Sequence, residues 1–162
     1  MKPEHQYYLN LGSNILPEVH LREAVRLLRA HGRVGEISSV WESHAVGSDG
    51  PNFLNVSLGF GTSVDAQELK DRVVADVEGR LGRVRTSDKN APRTIDIDIL
   101  MQDGTALNED RWAHAFVVLP MAELLPDARH PGTGNRLADE AVRAYSTLWI
   151  RRRPDVVIPP RV

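Results

Sequence analysis

The chain has no cysteine among its 162 residues. That absence excludes a disulfide framework, a thiolate metal site and a cysteine nucleophile. No apolar run approaches the ~20 residues needed to span a bilayer. The opening Met1 to Gln6 is polar and lacks the apolar core of a signal peptide, so a cytoplasmic protein without a membrane partner is expected. No Walker-type phosphate loop occurs, and the six histidines show no His-x-x-x-His spacing, so they read mostly as surface residues. Charge of one sign is lacking too. A net charge of -2 gives no bulk attraction to nucleic acid, so any anion must be held by a local cluster. The closing Arg151-Arg152-Arg153, followed by prolines, reads as a solvated tail over residues 151–162.

What remains is ordinary in amount and unusual in arrangement. An apolar fraction of 41% and a charged fraction of 26% describe a soluble globular chain, and the length suits one domain over residues 1–162. Within it, Thr94-Ile95-Asp96-Ile97-Asp98-Ile99-Leu100 alternates strictly. Strand side chains point to opposite faces in turn, so Ile95, Ile97 and Ile99 share one face and Asp96 and Asp98 the other. Two carboxylates so close repel unless a proton or a cation lies between them. Such a pair suits Mg2+, which takes one or two carboxylates together with phosphate oxygens. Arg83, Arg85, Lys89 and Arg93 come just before, with few apolar residues among them. Arginines beside a carboxylate pair match what a polyphosphate and its metal require. A solvated amphipathic strand with weak Arg–Asp pairs is the alternative reading of the same residues.

The rest of the pattern supplies a frame. Gln6 to Leu11 reads as a strand, and Pro17 opens a helix whose Leu21, Val25 and Leu28 recur at helical spacing. Val34 to Trp41 reads as a second strand, Glu42 to Pro51 as a loop, and Phe53 to Phe60 as a third strand. Asp65 can cap a helix running to about Leu81. The aspartate strand follows, with shorter helices near Met121 to Leu125 and Leu137 to Tyr145. Strand, helix, strand, strand, helix, strand is the split βαβ order, which predicts an α+β, ferredoxin-like antiparallel sheet with helices packed on one face.

These motifs together resemble the 6-hydroxymethyl-7,8-dihydropterin pyrophosphokinase family. Pro92-Arg93-Thr94-Ile95-Asp96-Ile97-Asp98-Ile99 carries most of the likeness. Leu11-Gly12-Ser13-Asn14, Asn52-Phe53-Leu54-Asn55, Glu78 with Gly82-Arg83-Val84-Arg85, and Phe116-Val117-Val118-Leu119-Pro120 support it in order. The resemblance implies transfer of pyrophosphate from ATP to the pterin alcohol in folate biosynthesis. It implies two Mg2+ ions held by Asp96 and Asp98, with Arg83 and Arg93 as catalytic phosphate ligands. Glu78, Arg85 and Lys89 would lie by the nucleotide. Ser43, Val46, Phe53, Asn55 and Phe116 would line the pterin pocket, Ser43 and Val46 from the loop after the second strand. The expected partners are these small molecules alone.

Some positions depart from the family pattern. An Arg-Trp-Gly-Pro-Arg type run is replaced by Lys89-Asn90-Ala91-Pro92-Arg93, which keeps the charge but loses a planar fork and the tryptophan. A Thr-Pro-Pro type turn is replaced by Ser43-His44-Ala45. The segment Asn108 to His114 is short, and His114 stands where the family has an arginine. A family-like protein of altered activity, binding nucleotide or another heterocyclic alcohol, is therefore the alternative function. Metal-dependent phosphate-ester hydrolysis ranks last for want of further ligands.

Overall fold

A computed structural model describes residues 2–159. Its frame is an antiparallel sheet in which β1 (His5–Ser13) lies between β4 (Phe53–Thr62) and β5 (Asp96–Gln102). Beyond β5 comes β6 (Thr105–Ala106), and on the other side β4 pairs with both β2 (Arg33–Ile37) and β3 (Trp41–Ser43). The expected second strand is thus two. Its pairing with β4 slips between Val34 and Ile37, and Ser38 turns its hydroxyl to accept from the Ser57 N–H at 2.9 Å. Ser43 closes β3 and is not part of the loop that follows.

Helix α1 (Pro17–Arg29) and a continuous helical segment over residues 66–80 cover one face. That second segment comprises α2 (Ala66–Glu68), a π-turn (Leu69–Val74) and α3 (Ala75–Arg80). Asp65 caps it as expected, its Oδ1 accepting from the Glu68 N–H at 2.8 Å. Leu9, Leu11, Val56, Leu58, Ile97 and Ile99 point into this layer with Leu21, Leu28, Leu69 and Val77, all buried. The period-2 face and the 3.6-period stripe therefore meet, as the pattern requires.

The opposite face is not bare. After a 3-10 turn (Glu109–Ala113), α4 (Ala115–Leu124) and α5 (Leu137–Thr147) pack over it. Leu100, Met101, Trp112, Val117 and Met121 form a second apolar cluster there. Apolar residues on nearly every side of α4 account for this, since such a helix is stable only when buried. The sheet is thus covered on both faces, and the one-face expectation fails at α4. The tail expectation fails too, because Ile150–Arg152 forms β7 against β3. Arg151 and Arg153 both bond to Glu42, which is mostly buried. No helix among the described residues is long and apolar enough to cross a membrane.

Candidate active site

Register across the three central strands builds the site. Gly12 of β1 stands opposite Asn55 of β4 and Asp96 of β5, and Asn10 stands opposite Ser57 and Asp98. Directly opposed residues in antiparallel strands share a face, so one row runs Asn55, Gly12, Asp96 and the next Ser57, Asn10, Asp98. Both lie on the α4 face, where Asn10 meets the first turn of α4 at the Phe116 carbonyl. Gly12 is required here for want of room. A Cβ on it would stand 2.9 Å from Asn55 Oδ1 and 3.6 Å from Phe53 Cδ1.

On the β5 side of this row opens a cleft of about 730 Å3. Its walls include Glu78, Arg83, Arg85, Lys89, Arg93, Asp96 and Asp98, so the structure brings together every residue assigned to catalysis, metal and nucleotide. Arg83 is the hub. Its Nη1 donates to Glu78 Oε2 at 2.8 Å and to Asp96 Oδ1 at 2.7 Å, with its side chain only 9% exposed. Glu78 also accepts from the Ile97 N–H at 3.1 Å and from Arg85 Nη2 at 3.0 Å. It is thereby tied to the β5 backbone and fixes Arg83, whereas Arg80 pairs with Asp76 on the surface. Arg93 reaches Asp96 Oδ2 at 3.5 Å and lies over the Phe53 ring at 5.9 Å.

Six cationic and six carboxylate side chains line the cleft, so its charges balance. A polyphosphate gains from such a site mainly when it brings its own cations. Asp98 reflects the crowding of negative charge. Burial and the neighbouring Asp96 push its carboxyl from the ordinary 3.8 to about 6, against the pull of Arg111. Among the described residues no group of three or more His, Cys, Asp or Glu is arranged to hold a metal ion. Two carboxylates alone fit a hard divalent ion that completes its shell with phosphate oxygens and water.

Two residues of this site had no assigned role in the sequence. Arg111, on the 3-10 turn of the short 108–114 segment, brings its Nε to 3.6 Å from Asp98 Oδ1. No local pattern marks it, because only the chain's return past β6 carries it there. Asn14 is the other. It does not cap α1, which is entered through Leu16 with no side-chain cap. The buried Asn14 side chain instead accepts from the Arg93 N–H at 2.8 Å and donates to the Pro51 carbonyl at 3.3 Å. It joins the arginine loop to the loop before β4. Asn14→Ala is expected to lower stability by about 1–3 kcal/mol, the scale of buried hydrogen-bonding groups left unpaired, as read from urea denaturation midpoints.

The residues assigned to the pterin lie on the other side of β1. Asn55 Nδ2 donates to Ser43 Oγ at 3.0 Å, both buried, and Phe53 flanks them. Phe116 enters from α4, its carbonyl accepting from Asn10 Nδ2 at 3.1 Å. His114 stacks on the Phe116 ring at 4.8 Å and 12°. Burial and Arg111 hold the His114 ring below its usual range, so it stacks uncharged at neutral pH. Val46 is exposed on the loop and joins neither wall. Of the histidines, His130 departs from the surface reading: it is buried, with Nε2 2.6 Å from the Trp112 carbonyl.

The profile of the 7,8-dihydro-6-hydroxymethylpterin-pyrophosphokinase (HPPK) family matches residues 8–126. The chain belongs to this family. A 2-amino-4-hydroxy-6-hydroxymethyldihydropteridine pyrophosphokinase of Bacillus subtilis (strain 168) is 33% identical over 150 residues, 85% of this chain and 89% of that protein. One from Aquifex aeolicus (strain VF5) is 34% identical over 134 residues, 76% and 82% of the two chains. Wild-type HPPK-DHPS of Plasmodium falciparum, solved with pteroate, superposes with a TM-score of 0.65 at 12% identity, over 90% of this chain. That alignment covers 43% of the Plasmodium chain and speaks for the HPPK fold alone. The cleft, Asn14, Asn55 and Phe116 all fall inside the HPPK match, and β7 lies beyond it.

Proposed function

We propose that this protein transfers pyrophosphate from ATP to 6-hydroxymethyl-7,8-dihydropterin, giving AMP and the pterin pyrophosphate for folate biosynthesis. One observation carries the reading beyond family membership. The row Asn55, Gly12, Asp96 sets the pterin-side residues and the carboxylates on one face, each one strand from Gly12 between them. Adjacent strands lie ~4.8 Å apart, so an alcohol held at Asn55 and a phosphorus held at Asp96 can meet above Gly12.

Asp96 and Asp98 would hold Mg2+ together with ATP, and the ion would neutralise phosphate charge and polarise the phosphoryl group. The remaining work belongs to side chains. Arg83, fixed by Glu78, and Arg93 donate to phosphate oxygens and meet the charge that develops in transfer. Arg85, Lys89 and Arg111, more exposed, add cationic reach around the rest of the nucleotide. On the pterin side, Asn55 can both donate and accept at a ring edge, with Phe53 and the Phe116–His114 stack as flat walls. The hydroxymethyl oxygen forms its bond to the β-phosphorus as the bond from that phosphorus to the α-phosphate oxygen breaks; AMP leaves with that oxygen, and the hydroxyl proton is released to water. Both substrates are small molecules, and a cytoplasmic setting belongs to the same reading.

Titration with a non-hydrolysable ATP analogue and Mg2+, followed by the pterin alcohol, tests it. Binding of both ligands is expected, and nucleotide binding without pterin binding would instead favour a changed acceptor. Gly12→Ala should separate the two halves, since its Cβ meets Asn55 and Phe53. Pterin affinity is expected to fall about tenfold, the scale of one overpacked contact, with the affinity for the ATP analogue nearly unchanged.

A further inference from the structure

The loop between β3 and β4, which carries Val46, is held at its neck by a segment outside the family match. Glu42, the middle residue of β3, is mostly buried and accepts from Arg153 Nη1 at 2.7 Å and Arg151 Nη2 at 3.0 Å. Its other oxygen accepts from Asn52 Nδ2 at 2.9 Å. Burial alone would push the Glu42 carboxyl up, but the bonds from Asn52, Arg153 and Arg151 outweigh it and hold the group below its ordinary range. Asn52 Oδ1 in turn lies 3.1 Å from His44 Nδ1, and the His44 ring stacks on Trp149 at 4.3 Å and 19°. Arg151 lies over the same indole at 5.7 Å, which closes the circuit.

His44 and Asn52 are the first and last residues of this loop, so the circuit fastens both of its ends. By strand alternation Glu42 points away from the face that carries Ser43 and Asn55, so the fastening lies behind the pterin side. Further along, Gly47 abuts the Asn90 side chain of the arginine loop. We infer that Trp149, with Arg151, is a positioning residue for the acceptor alcohol: it fixes the 44–52 loop at both ends and so holds Ser43 and Phe53, the pterin-side residues that flank it, in place. Ordering that loop in advance lowers the entropy that binding must otherwise overcome. The kinetic consequence rests on the pterin reading, whereas the ordering of the loop does not.

Trp149→Ala, Trp149→Phe and wild type are to be compared by amide hydrogen exchange and steady-state kinetics. Trp149 is 47% exposed, so its removal leaves the core intact. In Trp149→Ala, amide exchange within 44–52 is expected to rise and KM for the pterin alcohol to increase about fivefold, the scale of one aromatic stack. KM for ATP and the melting temperature should stay near wild type, and Trp149→Phe should restore both altered quantities. Unchanged exchange in the loop would overturn the inference, as would equal rises in the two KM values. If wild type does not turn over the pterin, the functional reading fails, and loop exchange alone still decides whether Trp149 orders the loop.

Discussion

Asp98→Asn is expected to make the protein more stable at neutral pH while abolishing turnover. Burial and Asp96 raise the Asp98 carboxyl to about 6, so folding favours its protonated form. A carboxyl raised in the folded state contributes stability that is fully present below the ordinary value of 3.8 and is lost as pH rises through about 6. At pH 7 the native state therefore carries an unfavourable charge worth up to about 3 kcal/mol, from about 2 pH units at about 1.4 kcal/mol each. Asparagine resembles the protonated acid and removes that burden. The variant should gain up to this amount at pH 7 and nothing near pH 3.5, as urea midpoints at the two pH values would record. Loss of this proposed metal ligand should meanwhile lower kcat/KM at least about a thousandfold, the scale of losing a main source of transition-state charge stabilisation. A destabilised variant at pH 7 would contradict the electrostatic account.

Arg83→Met should have the opposite sign in stability and the same in activity. Arg83 sits between Glu78 and Asp96, and its 9% exposure leaves little water to take its place. Removing one partner of a buried ionic cluster strands the others, at a cost of about 3–5 kcal/mol. Arg85 keeps its bond to Glu78 but is 72% exposed, and Arg93 reaches Asp96 only at 3.5 Å, so neither replaces the two short Arg83 bonds. Arg83→Lys keeps a charge that a single nitrogen shares between Glu78 and Asp96, as Nη1 does, but loses the planar fork for phosphate oxygens, so it should recover part of the stability and little of the turnover. Thermal denaturation with AMP formation on both variants separates these outcomes. Equal stability of Arg83→Met and wild type would mean that the cluster does not hold the site together.

The two predictions mark where the sequence was legible. Strict alternation places Asp96 and Asp98 on one face whatever else the chain does, because the side-chain period of a strand is 2. The split βαβ order and the capping Asp65 follow from equally local rules. Local rules stop at Glu78, whose role depends on the Ile97 N–H and Arg83 reaching it from later in the chain. Arg111 is the same case, carried to Asp98 by a turn that no periodicity announces. The strand β7 is three residues long, too short for alternation to be seen beside three arginines and several prolines. Its charge run is explained by Glu42, which lies 109 residues earlier than its partner Arg151. The break between β2 and β3 likewise follows from pairing with β4, where tertiary contacts override propensity.

On the proposed reading, one face of this sheet passes pyrophosphate from ATP to a pterin alcohol. That transfer is tested most directly by incubating the purified protein with ATP, Mg2+ and 6-hydroxymethyl-7,8-dihydropterin and resolving the nucleotide products. The account predicts AMP and pterin pyrophosphate in equal amounts, and neither when Mg2+ is withheld. Formation of ADP or free phosphate in place of AMP, or no product where an active family member gives one, would contradict it.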